Sequence, residues 1–322
     1  MLEVESTPSI IFINKEMIYI IYIIGIIAGL ILPIQTSVNT NLGNRIKGTP
    51  FIASMVSFLI GTLSLFIIAL LKGVPILIPL STFANQPYWI WLGGALGVVG
   101  LTSNIIIFPY LGSVQTVVMP ILGQIIMSMI IDNFGLFMSP EHPFTIMRFI
   151  SILILLAGVL MIVFKRNGEN KRNRNYLWQI LGVIAGMFQA TQTPVNGHLG
   201  MVLGSSEHAA LISFFIGTVI LVIIAGFTDH GYMKIKNAVG KGNPWWIWIG
   251  GALGAVYVMS NAFINPVIGT GTAVILTLLG NLSGGVIFDK FGLMGTTKKN
   301  ITIIQYLGLL VMILGVVLVH TF

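Results

Sequence analysis

Ten runs of about twenty mostly apolar residues, joined by short polar connections, dominate this chain. At about 1.5 Å of rise per residue each run matches the hydrocarbon thickness of a bilayer, so the runs read as membrane-spanning helices. They fall at 17–38, 50–71, 88–108, 113–132, 145–164, 177–196, 207–227, 245–265, 270–289 and 301–320. Charged residues make up 8% of the chain, against roughly a quarter in soluble domains, which is too little to clothe a water-soluble fold. The first run follows Glu3, Glu5 and Glu16 with only Lys15 basic. It is also too long for a signal-peptide core, so it reads as a retained helix.

The chain then repeats itself. Gly25-Ile26-Ile27-Ala28-Gly29 returns as Gly182-Val183-Ile184-Ala185-Gly186, and Gln35, Thr36, Asn39 and Gly43 return as Gln192, Thr193, Asn196 and Gly200. Trp89-Ile90-Trp91-Leu92-Gly93-Gly94 matches Trp246-Ile247-Trp248-Ile249-Gly250-Gly251. Asp132, Phe134 and Gly135 match Asp289, Phe291 and Gly292. The offset is 157 residues, slipping by one where Ser57-Phe58 and Gly61-Thr62 meet Ser213-Phe214 and Gly217-Thr218. Low-complexity apolar sequence does not hold one register over such a length, so the chain is a duplication. Residues 1–164 form the first five-helix repeat, 165–175 a basic linker and 176–322 the second repeat.

Five spans per copy force the second copy to enter from the opposite face. Charge placement is an independent check. With both termini outside, Arg45 and Lys47, the linker's Lys165, Arg166, Lys171, Arg172 and Arg174, and Lys234, Lys236, Lys241, Lys290, Lys298 and Lys299 all lie inside. Only Lys15, Lys72 and Arg148 remain outside, as the positive-inside bias requires. Matching loops exchange their charge, since Arg45 and Lys47 become Val202 and Gly204, and Lys72 becomes Asp229. The expected architecture is an all-α integral membrane protein of ten helices in two inverted repeats, a plan common among secondary transporters. The net charge of +7 then reflects topology and contact with lipid, not nucleic acid. Cysteine is absent, so thiol chemistry and thiolate metal sites are excluded.

The pattern Pro33-Ile34-Gln35, Asn39, Leu42-Gly43, then Ser57-Phe58-x-x-Gly61-Thr62, Trp89-x-Trp91-x-Gly93-Gly94 and Asp132-x-Phe134-Gly135 resembles the YdcZ-like inner membrane proteins. These belong to the drug/metabolite transporter superfamily. The resemblance covers both halves and corresponds to a fused form of a domain also found as small five-helix proteins. It implies ten helices, an inverted repeat and a bacterial plasma (inner) membrane, but no substrate. Small multidrug members of that superfamily carry a glutamate in the first helix. Here neither the first nor the sixth span holds an acid, which speaks against proton-coupled export of cations by that route.

Polar side chains inside a bilayer must pair or face water. Gln35 and Asn39 share a helical face, as do Gln192 and Asn196. Asn104 and Asn261 lie in the third and eighth spans, and Gln124 and Asn281 in the fourth and ninth. These eight are the candidate substrate-binding residues, expected to converge near the midplane with uncharged donors and acceptors. Each could instead join helices at roughly 0.6–2 kcal/mol. Asp132 and Asp289, expected at the interface, are candidates for proton coupling, with a cap or boundary as the plainer role. His198, Glu207 and His208 read as one outer loop region. Gly25/Gly29, Gly182/Gly186 and Gly280/Gly284 read as small-xxx-small packing pairs.

No catalytic constellation, metal-ligand set or phosphate-binding loop is present, so an enzyme is not expected and no cofactor is called for. The sequence points to alternating-access transport of a small neutral or zwitterionic metabolite. The competing reading is a non-transporting scaffold or subunit whose polar residues only hold helices together. Expected partners are the solute and lipid, with a homodimer as one assembly open to such a bundle.

Overall fold

The computed structural model describes residues 15–47, 49–164, 176–229, 232–240, 242–292, 298 and 301–321. The linker and its five basic residues, together with the N-terminal tail, lie outside that set, and so does the side chain of Asp289. The helices are α1 (Lys15–Ile46), α2 (Pro50–Leu71), a short α3 (Leu80–Asn85), α4 (Gly93–Phe134), α5 (Ile146–Phe164), α6 (Tyr176–Leu203), α7 (Ser206–Asp229), α8 (Gly250–Phe291) and α9 (Ile303–Thr321). Short 3-10 turns at Tyr88–Trp91 and Trp245–Trp248 lead into α4 and α8.

The sequence expects separate third and fourth, and eighth and ninth, spans. Each pair follows on so closely that it forms one element, α4 and α8 of 42 residues apiece, and in α8 the helix breaks at Gly269, whose dihedral angles are not helical. A straight helix of that length would reach about 63 Å. Neither is straight. Gly100 and Gln124, about 36 Å apart on a straight helix, both meet Gln189 of α6. Ile107 and Met119 likewise both meet Gly182. α4 therefore doubles back between its two arms. α8 does the same, since Ile264 and Leu276 both pack on Gly25. Its turn is Gly269, at φ 78° and ψ 165°, a region that only glycine enters without strain.

The two repeats exchange partners. α1 packs on the hairpin of α8, and α6, its counterpart, packs on the hairpin of α4. α2 pairs with α7 and α5 with α9. Equivalent contacts recur throughout. Asn196 lies over Gly93 and Asn39 over Gly250, while Gln192 lies over Gly97 and Gln35 over Gly254. Phe58 and Phe214 meet at 4.9 Å, beside Thr62 and Thr218 whose hydroxyls are 2.9 Å apart.

The direction of α2 against α7 fixes the symmetry. Lys72, just past the end of α2, forms an ion pair with Glu207 in the first turn of α7. At the other end, Arg45 reaches the carbonyl of Gly242, and Asn237 donates to the carbonyl of Ile46. The helices run antiparallel, so a two-fold relating the halves lies across the helix axes, and one half is upside down to the other. Arg45, Lys47, Lys234, Lys236, Lys290 and Lys298 gather at one end of the bundle, called here the basic end. Asp132, Arg148 and the turn of α8 lie at the far end.

Small residues set the closeness of these pairs. A carbon added at Gly29 would strike the backbone of Thr277, Gly280 and Asn281, and one at Gly186 would strike the backbone of Pro120. Outward faces carry apolar stripes, such as Ile20, Ile23 and Ile27 on α1 and Leu307, Leu310, Leu314 and Val317 on α9. On a soluble protein such faces would be sticky, whereas lipid covers them at no cost. By length and composition, five described segments can cross a membrane: Glu16–Ile46, Pro50–Leu71, Val117–Phe134, Ser206–Thr228 and Gly250–Phe288. Ile146–Ile162 and Ile303–Val319 are apolar but shorter. α6, interrupted by Gln189, Thr191, Gln192, Thr193 and Asn196, is not among the five.

Candidate functional site

The polar residues of α6 sit on its inner face because the helix has two partners. One side meets the glycine-rich first arm of α4, where Gln192 and Asn196 fill the space left by Gly97 and Gly93. The other side meets the first arm of α8, where Asn265 lies against Gly197. Between α6 and α8 remains a cavity of about 40 Å³, lined by Gln189, Gln192, Thr193 and Asn196 on one side and Tyr257, Val258 and Asn261 on the other. No lining residue is charged. The space holds a few waters or one small polar group.

Three of the eight expected binding residues, Gln192, Asn196 and Asn261, meet here. A fourth, Gln124, reaches the site indirectly by donating to Oε1 of Gln189 at 3.3 Å, and Gln189 in turn donates to the carbonyl of Gly100 at 3.3 Å. The other four are elsewhere. Gln35 and Asn39 of α1 face Gly254 and Gly250 of α8, Asn104 is half-buried on α4, and the backbone of Asn281 lies against Gly29. Of the eight, the described structure brings Gln192, Asn196 and Asn261 to one cavity and leaves Gln35, Asn39, Asn104 and Asn281 apart from it.

Packing explains the split. α6 closes on α8, whereas the counterpart pair, α1 and α4, makes at most a glancing contact among the described residues. Thr193 is buried at 7% exposure, while its counterpart Thr36 is exposed. Asn261 is buried at 3%, while Asn104 is half-buried. The bundle is therefore shut between α6 and α8 toward the far end and parted between α1 and α4 toward the basic end.

The shut end carries a polar lock. Asp132, expected at the interface, is fully buried. Its carboxylate accepts the N–H groups of Thr270 and Gly271 at 2.9 Å each, and Arg148 approaches it at 3.4 Å. It thereby caps the second arm of α8 at the positive end of the helix dipole. The Thr270 hydroxyl accepts from Asn265 at 2.9 Å and meets that of Ser139 at 2.9 Å. Arg148 also donates to the carbonyl of His142, whose ring lies against Gly269. His198, Glu207 and His208, read from sequence as a loop, belong to α6 and the first turn of α7. His198 packs against Trp89 at 5.1 Å, and His208 Nε2 lies 3.3 Å from the carbonyl of Ile76.

Gln189, Tyr257 and Asn265 escaped the sequence reading because their counterparts are Leu32, Gly100 and Phe108. The repeat that marked the other polar residues is silent at these positions. The one available signal was an extra glutamine one turn before Gln192-Thr193.

Comparison with known proteins gives a family and a fold. The model of the DMT YdcZ family, described as "Putative inner membrane exporter, YdcZ", matches residues 20–161 and again 177–318, the two matches beginning 157 residues apart. No curated protein matches the chain. A solved structure titled only "Crystal structure of protein" is similar over 95% of this chain and 96% of its own, at 13% identity and a TM-score of 0.64. At that identity the likeness concerns the fold alone.

Proposed function

We propose, from the premise that this chain belongs to the YdcZ family of inner membrane exporters, that it is a secondary carrier of a small neutral or zwitterionic metabolite working by alternating access. Membership makes it a multi-pass inner membrane protein of a transporter family, not an enzyme. The finer reading is ours. It rests on one observation: two upside-down copies of one bundle pair equivalent helices, yet the first helix and the first arm of the hairpin are packed together in the second copy and not in the first. There one copy is closed and the other parted.

An inverted repeat has two states of similar energy, related by exchanging the conformations of its halves. In one, α6 lies on α8 and the path opens at the basic end. In the other, α1 lies on α4 and the far end opens. Ten crossings bring both termini to the far face, and the positive-inside bias makes the basic end cytoplasmic. The described state then faces the cytoplasm, the side from which an exporter loads. The residues whose burial differs between the halves, and which would exchange environment, are Thr36 and Asn104 in one half and Thr193 and Asn261 in the other. All are uncharged, so a solute of net charge zero crosses without an uncompensated ion in the slab.

Purified protein in proteoliposomes should move a metabolite down its gradient, and the pair Asn39→Ala with Asn196→Ala should slow that flux roughly ten-fold or more while leaving the fold intact. No flux with any metabolite pool, together with unaltered behaviour of the double variant, would sink the reading.

A further inference from the structure

We propose that Asp132, Ser139 and His142 form a latch on the turn of α8 that holds the far end shut and lets go when that end opens. This rests on the transport reading and adds to it the device that sets which state the resting protein occupies.

The larger helices fall into two bodies. α6 lies on the hairpin of α4, where a carbon added at Gly186 would strike the backbone of Pro120, and one at Gly123 the carbonyl of Val183. α1 lies on the hairpin of α8, with Gly29 against the backbone of Thr277 and Gly280 against the carbonyl of Ile26. Backbones packed this closely through glycine make each pair a unit. Opening the far end, where α6 meets α8, therefore parts the α4–α6 body from the α1–α8 body.

At that end, polar contacts cross from one body to the other. Asp132 accepts the N–H groups of Thr270 and Gly271 at 2.9 Å each. The hydroxyls of Ser139 and Thr270, both buried residues, are 2.9 Å apart, and the ring of His142 lies on Gly269. The segment from Asp132 to His142 thus straps the end of α4 over the turn of α8. It is tied back to its own body, since Phe137 stands edge-on to Trp89 at 5.3 Å and Trp89 packs on His198 of α6. It is also strained. Phe137 and Met138 both hold φ 58°, a region that side chains enter at a cost, and such a backbone persists only where its surroundings hold it.

Symmetry separates this contact from a merely structural one. Thr62 and Thr218 are equivalent residues of the two copies, so their contact lies on the two-fold and survives exchange of the halves. Ser139 and Thr270 are not equivalent. Exchange hands their roles to Thr296 and Ser113, and that of Asp132 to Asp289, at the basic end. The acid and both hydroxyl positions recur there in the sequence, but Gln305 stands where the first copy has Arg148. The far latch therefore has a charge-assisted contact that the repeat does not supply to the other. The two states are held unequally, and the one shut at the far end is favoured at rest.

The test reads how often the far end opens. The full chain, with Thr193→Cys as its single cysteine, is reconstituted in liposomes and labelled from the far face with a membrane-impermeant maleimide. One net hydrogen bond shifts an equilibrium by a factor of about two to ten. Ser139→Ala, which leaves Thr270 its bond from Asn265, should raise the labelling rate by about that factor. Thr270→Val probes the same contact from the other side and should act in the same direction, should the first variant fold poorly. Thr62→Val, which removes a hydroxyl contact of equal length on the two-fold, should leave the rate unchanged. An unchanged rate in both latch variants overturns the proposal. So does an equal rise in Thr62→Val, which would report a bundle loosened as a whole. If the latch variants do nothing while proteoliposomes still move a metabolite, the latch is wrong and transport stands. Absence of both flux and far-face labelling at position 193 in every variant removes the transport reading itself.

Discussion

Asp132, a candidate for proton coupling, is held in the structure as the cap of the second arm of α8. A buried acid in a bilayer invites a proton-relay reading, yet this carboxylate already has two backbone N–H donors and a guanidinium beside it. Its removal leaves two buried donors and Arg148, itself little exposed, without their acceptor. Asp132→Ala should therefore cost roughly 3–5 kcal/mol of stability, read as a lower melting temperature and an earlier denaturant midpoint. A carrier of protons would behave otherwise: Asp132→Asn would fold normally and lose only the pH dependence of flux. The motif around it was legible because Asp132-x-Phe134-Gly135 recurs at Asp289-x-Phe291-Gly292. Its partner was not. The carboxylate caps residues far along the chain in the other half, and no local spacing encodes such a contact. Gln189 and Tyr257 were hidden for the complementary reason, since each lacks a repeated twin. Of the candidate site, the sequence thus revealed the symmetric shell around the cavity and missed the residues that make it unsymmetric.

At the level of elements, periodicity and length predicted where helices run, and the repeat predicted which of them are equivalent. They did not predict how closely the arms follow one another, the eighth run turning into the ninth at a single glycine. Hydropathy measures residence in lipid and says little about how tightly a turn closes. The turn at Gly269 closes tightly because φ 78° with ψ 165° spares any loop. Gly269→Ala should cost about 1–3 kcal/mol from backbone strain alone, with more from His142, whose Cδ2 would lie 2.8 Å from the new methyl. Gly285→Ala, in the same helix with open space around it, should be neutral or stabilising by about 0.5–1 kcal/mol. Thermal unfolding of both variants separates the two. A Gly269→Ala protein as stable as the parent would mean that the hairpin does not depend on this backbone geometry.

For the whole molecule the decisive property is the broken symmetry between halves, because an inverted repeat with identical halves would be shut at both ends or parted at both. Thr36 and Thr193 report it directly. They occupy the same place in the two copies, yet one is exposed and the other is buried. The chain contains no cysteine, so Thr36→Cys and Thr193→Cys can each be made in the natural sequence and labelled without background. With the path parted at the basic end, a membrane-impermeant maleimide should modify Cys at 36 at least about ten-fold faster than Cys at 193, and from the cytoplasmic face only. A transported solute at saturating concentration populates both states, so it should narrow that ratio by raising labelling at 193 from the opposite face. Equal labelling of both positions from one face would mean that the halves do not exchange roles. The bundle would then be held together by its polar residues without using them to move anything.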